Sequence, residues 1–379
     1  MSYLEQNIRS VPTGLSKMLY FNWPLALLLL AVACTGFLML YSVAGGDIDR
    51  WAEPQIIRFA MGFVMMLIMA MVPLNFWREV SPIAYLVGIV LLLAVPYIGV
   101  SRGGAQRWLD LGFMTLQPSE LMKIGVVMAL AFYYDWLDER RVSRPFWVLL
   151  PILLIVLPSI LVLQQPDLGT ALLILAGGAI VMFIAGVSWW YFAAAIVSVT
   201  LLVSGVFASK DTEYQLLKDY QYKRIETFLD PASDPLGSGY HITQSKIALG
   251  SGGLTGRGFM QGTQQRLNFL PEKHTDFIFT TLGEEFGFVG GITLLVLYSL
   301  ILMFCFASAL TNRDRFGALL TIGVGATFFF YFAVNMSMVM GLAPVVGVPL
   351  PLVSYGGSAM LVLMMAFGLV QSAHIHRPR

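Results

Sequence analysis

Charge-free apolar runs follow one another along most of the chain, each long enough to form a membrane-crossing helix. About 20 apolar residues span a ~30 Å hydrocarbon core. On that measure the chain predicts helices near residues 22–44, 55–74, 80–99, 117–136, 146–163, 168–186, 189–208, 275–308, 315–341 and 351–374, the fourth interrupted by Glu120 and Lys123. The first run, Met18 to Gly46, exceeds a signal-peptide core of ~7–15 residues and reads as a retained helix. Two runs exceed one crossing. Leu168–Ser209 must turn, most simply at Gly186-Val187-Ser188, and Phe316–His376 must turn where glycine and proline cluster between Gly341 and Pro351. The expected fold is therefore an all-α polytopic membrane protein of ten transmembrane helices, one membrane domain over residues 1–379. The polar stretch 209–274 interrupts it between the seventh and eighth helices.

Lysine and arginine in short loops set the orientation. With the N-terminus in the cytosol, the inner side holds Arg9, Lys17, Arg78, Arg140, Arg141, Arg144, Arg313, Arg315, Arg377 and Arg379. The outer side then holds Arg50, Arg102 and Arg107, with Arg58 near a boundary. Both termini are expected to be cytosolic and residues 209–274 to form a large extracytoplasmic loop. Loops of that length without function are uncommon. Within it Leu217, Tyr220, Ile225 and Phe228 share a helical face, as in a helix lying at the interface or covering the bundle. Asp234-Pro235-Leu236-Gly237 then signals a turn.

Composition narrows the class. Of 379 residues, 57% are hydrophobic and 12% charged, against about a quarter charged in soluble domains; mean hydropathy is +0.75. A soluble enzyme, a disordered chain and a one-span receptor are excluded. A net charge of +1 gives no general attraction to nucleic acid. Cys34 and Cys305 both lie in apolar runs, as small core hydrophobes do.

Charges inside a bilayer are costly, so each ionisable residue there is a functional candidate. Glu120 and Lys123 are three apart and share a helix face. Asp167, in Gln164-Gln165-Pro166-Asp167-Leu168-Gly169, heads another helix, where its carboxylate suits the dipole. An Asp167–Lys123–Glu120 cluster could fix helix packing or contact a ligand. Asp276 stands where the outer loop re-enters the membrane; a carboxylate partly desolvated there is a candidate general base. Lys273 and His274 beside it could bind phosphate or tune it, while Thr275 or Asp276 could instead cap the eighth helix. Glu284 and Glu285 read as packing or partner contacts.

Gly250-Ser251-Gly252-Gly253-Leu254-Thr255-Gly256-Arg257-Gly258 matches no nucleotide motif and is a flexible loop or a diphosphate cradle. Ser354-Tyr355-Gly356-Gly357-Ser358 opens the last helix, its glycines suiting close helix approach. Arg102 and Arg107, near Trp108, suit a lipid phosphate or interface anchoring. His374 and His376 read as solvated.

Several strings together resemble the SEDS family of cell-wall polymerases. They are Gly104-Ala105-Gln106-Arg107-Trp108-Leu109, Gln117-Pro118-Ser119-Glu120, Gln165-Pro166-Asp167-Leu168-Gly169, His274-Thr275-Asp276-Phe277-Ile278-Phe279, and Pro349-Leu350-Pro351-Leu352-Val353-Ser354-Tyr355-Gly356-Gly357-Ser358. Asp234-Pro235-Leu236-Gly237-Ser238-Gly239-Tyr240-His241-Ile242 and Val346-Gly347-Val348-Pro349 favour the family's elongation branch over its division branch. The resemblance implies a ten-helix fold in the inner membrane and peptidoglycan glycosyltransferase activity on lipid II at the periplasmic face. It implies a divalent cation (Mg²⁺ or Mn²⁺), a class B penicillin-binding protein as transpeptidase partner, and the elongation complex with MreC and MreD. By matching, Asp276 corresponds to the family's essential aspartate, as base or metal ligand. Glu120, Lys123 and Asp167 correspond to its other embedded charges; Arg107, Lys273, His274, Ser354 and Ser358 are candidate substrate-binding or supporting residues. A lipid II flippase or a catalytically idle scaffold are the rival functions. Transporters usually carry internal repeats, and none is visible here.

Overall fold

Prolines and polar caps set where the helices begin. Pro24 occupies the first turn of α1 (Trp23–Val43), where Asn22 caps it by accepting from Leu25 N–H at 3.2 Å. The same first-turn proline opens α4 (Pro118–Trp136) and α5 (Pro145–Gln164). The computed structural model describes residues 14–102, 105–110, 112, 115–209, 222, 238–263 and 273–377. Its remaining helices are α2 (Ala52–Met71), α3 (Leu74–Ile98), α6 (Leu168–Ile184), α7 (Trp189–Ala208), α8 (Ser238–Ser251), α9 (Ile278–Leu310), α10 (Arg315–Val339) and α11 (Gly357–Ile375). Among these described residues α1, α2, α3, α5, α9, α10 and α11 are long and apolar enough to cross a membrane; α6 and the Trp189–Gly205 part of α7 are shorter apolar helices. The protein is a mostly helical, multi-pass membrane protein.

The most buried helices carry the polar chemistry. α4, α10 and α11 meet one another at the centre, with α6 against α4 and α10 and α2 against α11. α3, α5 and α7 lie outside and expose rows of Leu, Ile and Val, as lipid-facing helices do. The apolar run from Leu168 turns at Ala185–Ser188, where Gly186 takes φ +101°. The last long run leaves the helix after Val339 and passes through an extended segment before α11.

The structure departs from the sequence reading in three places. First, a small antiparallel sheet lies between α3 and α4, formed by β1 (Val100–Arg102), β2 (Ala105–Asp110) and β3 (Thr115–Leu116). Trp108 pairs with Val100 and Leu109 with Leu116. Second, α9 is broken at Gly287 (φ 65°, ψ −159°) rather than continuous. Third, the glycine-rich stretch is neither a flexible loop nor an anion cradle, because its backbone is spent on that break. Arg257 and Gly258 N–H donate to the carbonyls of Glu284 and Glu285, each at 3.0 Å, and Phe288 and Val289 N–H donate to Gly253 and Leu254. A Cβ on Gly256 would lie 2.0 Å from Glu285 O, so only glycine permits this approach. The amphipathic stretch 217–228, apart from Tyr222, and the turn at 234–237 lie outside the described residues.

Candidate functional site

Residues 273–277 form the turn that leads into α9, and the helix N-cap is Phe277, without a side-chain cap. Neither Thr275 nor Asp276 is therefore the N-cap residue itself. Three successive carbonyls of this turn are each held by a different donor. Tyr355 N–H donates to His274 O at 2.9 Å, Ser354 Oγ to Thr275 O at 2.5 Å, and Asn335 Nδ2 to Asp276 O at 2.9 Å. Ser354 Oγ also accepts from Leu350 N–H at 2.7 Å. Buried and engaged on both sides, it supports the turn.

Asp276 is half-buried at the end of this clamp. Its wall on one side is Gly347, which takes φ +70° and whose hypothetical Cβ would stand 3.5 Å from Asp276 Oδ2. Beside the turn lies a cationic, aromatic rim. His274 stacks on Trp51 with ring centroids 4.2 Å apart, and Tyr355 meets Trp51 edge-on at 4.7 Å. Arg50 lies over Trp51 at 5.6 Å and Arg58 over Tyr355 at 4.8 Å. Burial, and then the positive charge of Arg50, hold the half-buried Lys273 ammonium below the ordinary lysine pKa.

A second polar group sits between α4 and α10. Lys123 Nζ pairs with Glu120 Oε1 at 2.7 Å and also donates to Tyr331 Oη, which in turn donates to Glu120 Oε2 at 2.5 Å. Glu120 and Lys123 are each only 4% exposed, and the adjoining cavity of about 20 Å³ has room for roughly one water. Asp167 does not join them through an ion pair. It caps α6 by accepting from Thr170 N–H at 3.1 Å and accepts from Gln117 Nε2 at 2.9 Å. Gln117 N–H reaches the buried Ser358 Oγ at 3.4 Å, so Ser358 also ties helix ends together. Arg107 turns inward, donating to Gln165 O at 2.9 Å and to Pro166 O, and so pins the turn that presents Asp167.

Other candidates have packing partners. Glu284 accepts from Thr263 N–H at 2.7 Å and Glu285 from Ser42 Oγ at 2.5 Å, both carboxylates being buried. His374 is half-buried rather than solvated, with Nδ1 3.0 Å from Ser308 Oγ; His376 is half-buried too, and burial lowers its pKa. Charge and spacing in the sequence do not point to Asn335, Tyr331 or Trp51, although Asn335 is an uncharged polar residue inside an apolar run and such a group needs partners. Among the described residues no three of His, Cys, Asp or Glu come together in a metal-binding cluster.

The fold is that of a multi-pass membrane bundle, with a half-buried carboxylate held at the start of a broken helix. Comparison with known proteins supplies the family. Residues 22–379 match the FtsW/RodA/SpoVE family model, described as "Cell cycle protein". The peptidoglycan glycosyltransferase MrdB of Escherichia coli K12 is 45% identical over 353 residues, 93% of this chain and 92% of that protein. The probable peptidoglycan glycosyltransferase FtsW of Trichlorobacter lovleyi is 38% identical over 73% of this chain and 70% of its own length. Among solved structures, a chain of a peptidoglycan synthase complex that coordinates polymerization and crosslinking superposes with a TM-score of 0.80 at 31% identity, covering 93% of this chain and 97% of that one. The rod shape determining protein RodA of Thermus thermophilus gives 0.70 at 28% identity, covering 94% and 97%. The chain belongs to the FtsW/RodA/SpoVE family, the SEDS family whose motifs its sequence carries.

Proposed function

We propose that this protein is a peptidoglycan glycosyltransferase that polymerises lipid II during cell elongation, with Asp276 as its reactive carboxylate. The clamp on the three carbonyls of His274, Thr275 and Asp276 is the observation that carries the reading. It fixes a half-buried acid beside a rim of Arg50, Arg58 and Lys273 suited to a diphosphate. The names and identities of the relatives support the activity, and the higher identity and fuller coverage of MrdB support the elongation branch.

In this reading ten helices cross the inner membrane, both termini are cytosolic, and the 209–274 segment and Asp276 face the periplasm. The acceptor 4-hydroxyl attacks the donor's anomeric carbon opposite the diphosphate and inverts that centre. Asp276 takes the hydroxyl proton as the new C–O bond forms, and undecaprenyl diphosphate leaves with the electrons of the broken bond. Diphosphate needs charge neutralisation rather than protonation, so one carboxylate suffices where glycosidases use two. Among the described residues no three of His, Cys, Asp or Glu gather, but Mg²⁺ is commonly held by one or two carboxylates together with substrate phosphates, and Asp276 would supply such a carboxylate. Mg²⁺ or Mn²⁺ would therefore arrive with the diphosphate. A class B penicillin-binding protein and the elongation complex with MreC and MreD are the proposed partners. The relative from a synthase complex supports the first of these.

Purified protein given lipid II is expected to yield glycan on a gel without a partner enzyme. Lipid movement across liposomes without any glycan would favour a flippase instead. If Lys273 meets the diphosphate, its lowered pKa sets an alkaline limb: its charge is present at low pH and lost as pH rises through a value below that of ordinary lysine. Lys273→Arg, which stays charged, is expected to hold its KM for lipid II at alkaline pH where the wild-type KM rises. Superimposable KM profiles would remove Lys273 from the diphosphate site.

A further inference from the structure

We propose that Asn335 is a positioning residue for Asp276, setting the gap between its carboxylate and the Gly347 wall; this rests on the reading of Asp276 given above. Asn335 lies on α10 and is 0% exposed. Its Nδ2 donates to two carbonyls from distant segments, Asp276 O at 2.9 Å and Val348 O at 2.7 Å. Only the amide nitrogen can serve two acceptors in this way, which fixes the orientation of the side chain.

The two carbonyls belong to the two sides of the site. One is the peptide oxygen of the reactive residue itself. The other follows Gly347, where an added Cβ would stand 3.5 Å from Asp276 Oδ2. The preceding carbonyls, of His274 and Thr275, are held by Tyr355 and Ser354, so the one nearest the carboxylate depends on Asn335. Asn335 Oδ1 is buried with no hydrogen-bond partner, a polar cost that an apolar side chain would avoid. The position is therefore poorly explained by packing and well explained by its two donor protons. Tyr331, one turn earlier on the same helix, meets the Glu120–Lys123 pair, so α10 is held in register on its way to the site.

The test measures steady-state polymerisation of lipid II by purified full-length Asn335→Ala and Asn335→Asp, with melting in detergent and Asp276→Asn alongside. Asn335→Ala is expected to lose about 10²-fold in kcat with KM changed by less than about threefold, because a misplaced base affects chemistry rather than binding. Its melting temperature should fall, since the Asp276 and Val348 carbonyls lose their donor, while a cooperative transition remains and KM is kept, so that the loss in kcat exceeds what unfolding explains. Asn335→Asp keeps the shape but faces two carbonyls with an acceptor, so its activity relative to wild type should rise as pH falls and its carboxyl regains a proton to donate. Wild-type kcat in Asn335→Ala beside an inactive Asp276→Asn overturns the positioning role alone. An active Asp276→Asn overturns the reading on which it rests. Parallel losses of folding, kcat and KM in both Asn335 variants, with no pH rescue, also overturn it in favour of a structural role.

Discussion

Asp276→Asn is expected to reduce lipid II polymerisation by about 10²–10⁴-fold, the usual contribution of a general base, while the protein still folds in the membrane. The two parts of this expectation come from different atoms. Folding of the turn draws on backbone carbonyls, with Asn335 holding Asp276 O at 2.9 Å, and the substitution leaves those carbonyls in place. Chemistry draws on the carboxylate, and an amide of the same shape cannot accept the hydroxyl proton. Asp276→Glu supplies the geometric control. Its extra methylene carries the carboxylate about 1 Å beyond the place that the held Asp276 carbonyl gives it, and a misplacement of that size is enough to impair chemistry strongly although the acid is kept. Gel analysis of glycan from purified variants, with intensity of the folded membrane protein on size exclusion as the reference, checks both. Glycan at the wild-type rate from Asp276→Asn would falsify the assignment.

The sequence exposes the charged parts of this centre more readily than the parts that hold them. Glu120 and Lys123 are legible because a spacing of three places two ionisable groups on one helix face, where the structure pairs them at 2.7 Å. Their third partner, Tyr331, is hidden by a separation of 208 residues and by being one aromatic ring in an apolar run. The same argument applies to Asn335: attention to charge passes over an amide, although a membrane-buried amide also demands partners. Asp167 is legible at a helix start, but no spacing rule shows that its carboxylate is taken by Thr170 N–H and Gln117 rather than by Lys123. The sheet of residues 100–116 leaves little periodicity, since its strands hold three, six and two residues. The glycine-rich stretch misleads for a related reason. Glycine marks either freedom or close approach, and only the position of Glu284 and Glu285 carbonyls distinguishes them.

Lys123→Met is expected to destabilise the protein by about 3–5 kcal/mol, the cost of removing one partner from a buried ion pair. Glu120 would then remain 4% exposed among apolar side chains, with only the Tyr331 hydroxyl, at 2.5 Å, to satisfy it. The neighbouring cavity, about 20 Å³, admits too little water to restore solvation. The energy lost is thus that of an orphaned charge rather than of the pair itself. Replacing the whole group isolates that distinction. Lys123→Met combined with Glu120→Leu and Tyr331→Phe removes both charges and the hydroxyl while keeping the volume, and buried pairs exchanged for packed hydrophobes often cost nothing. The triple variant should therefore melt near the wild-type temperature in detergent, well above either Lys123→Met or Glu120→Leu alone. Single variants as stable as wild type would mean that water reaches the pair, and that α4 and α10 are joined by their apolar contacts without it.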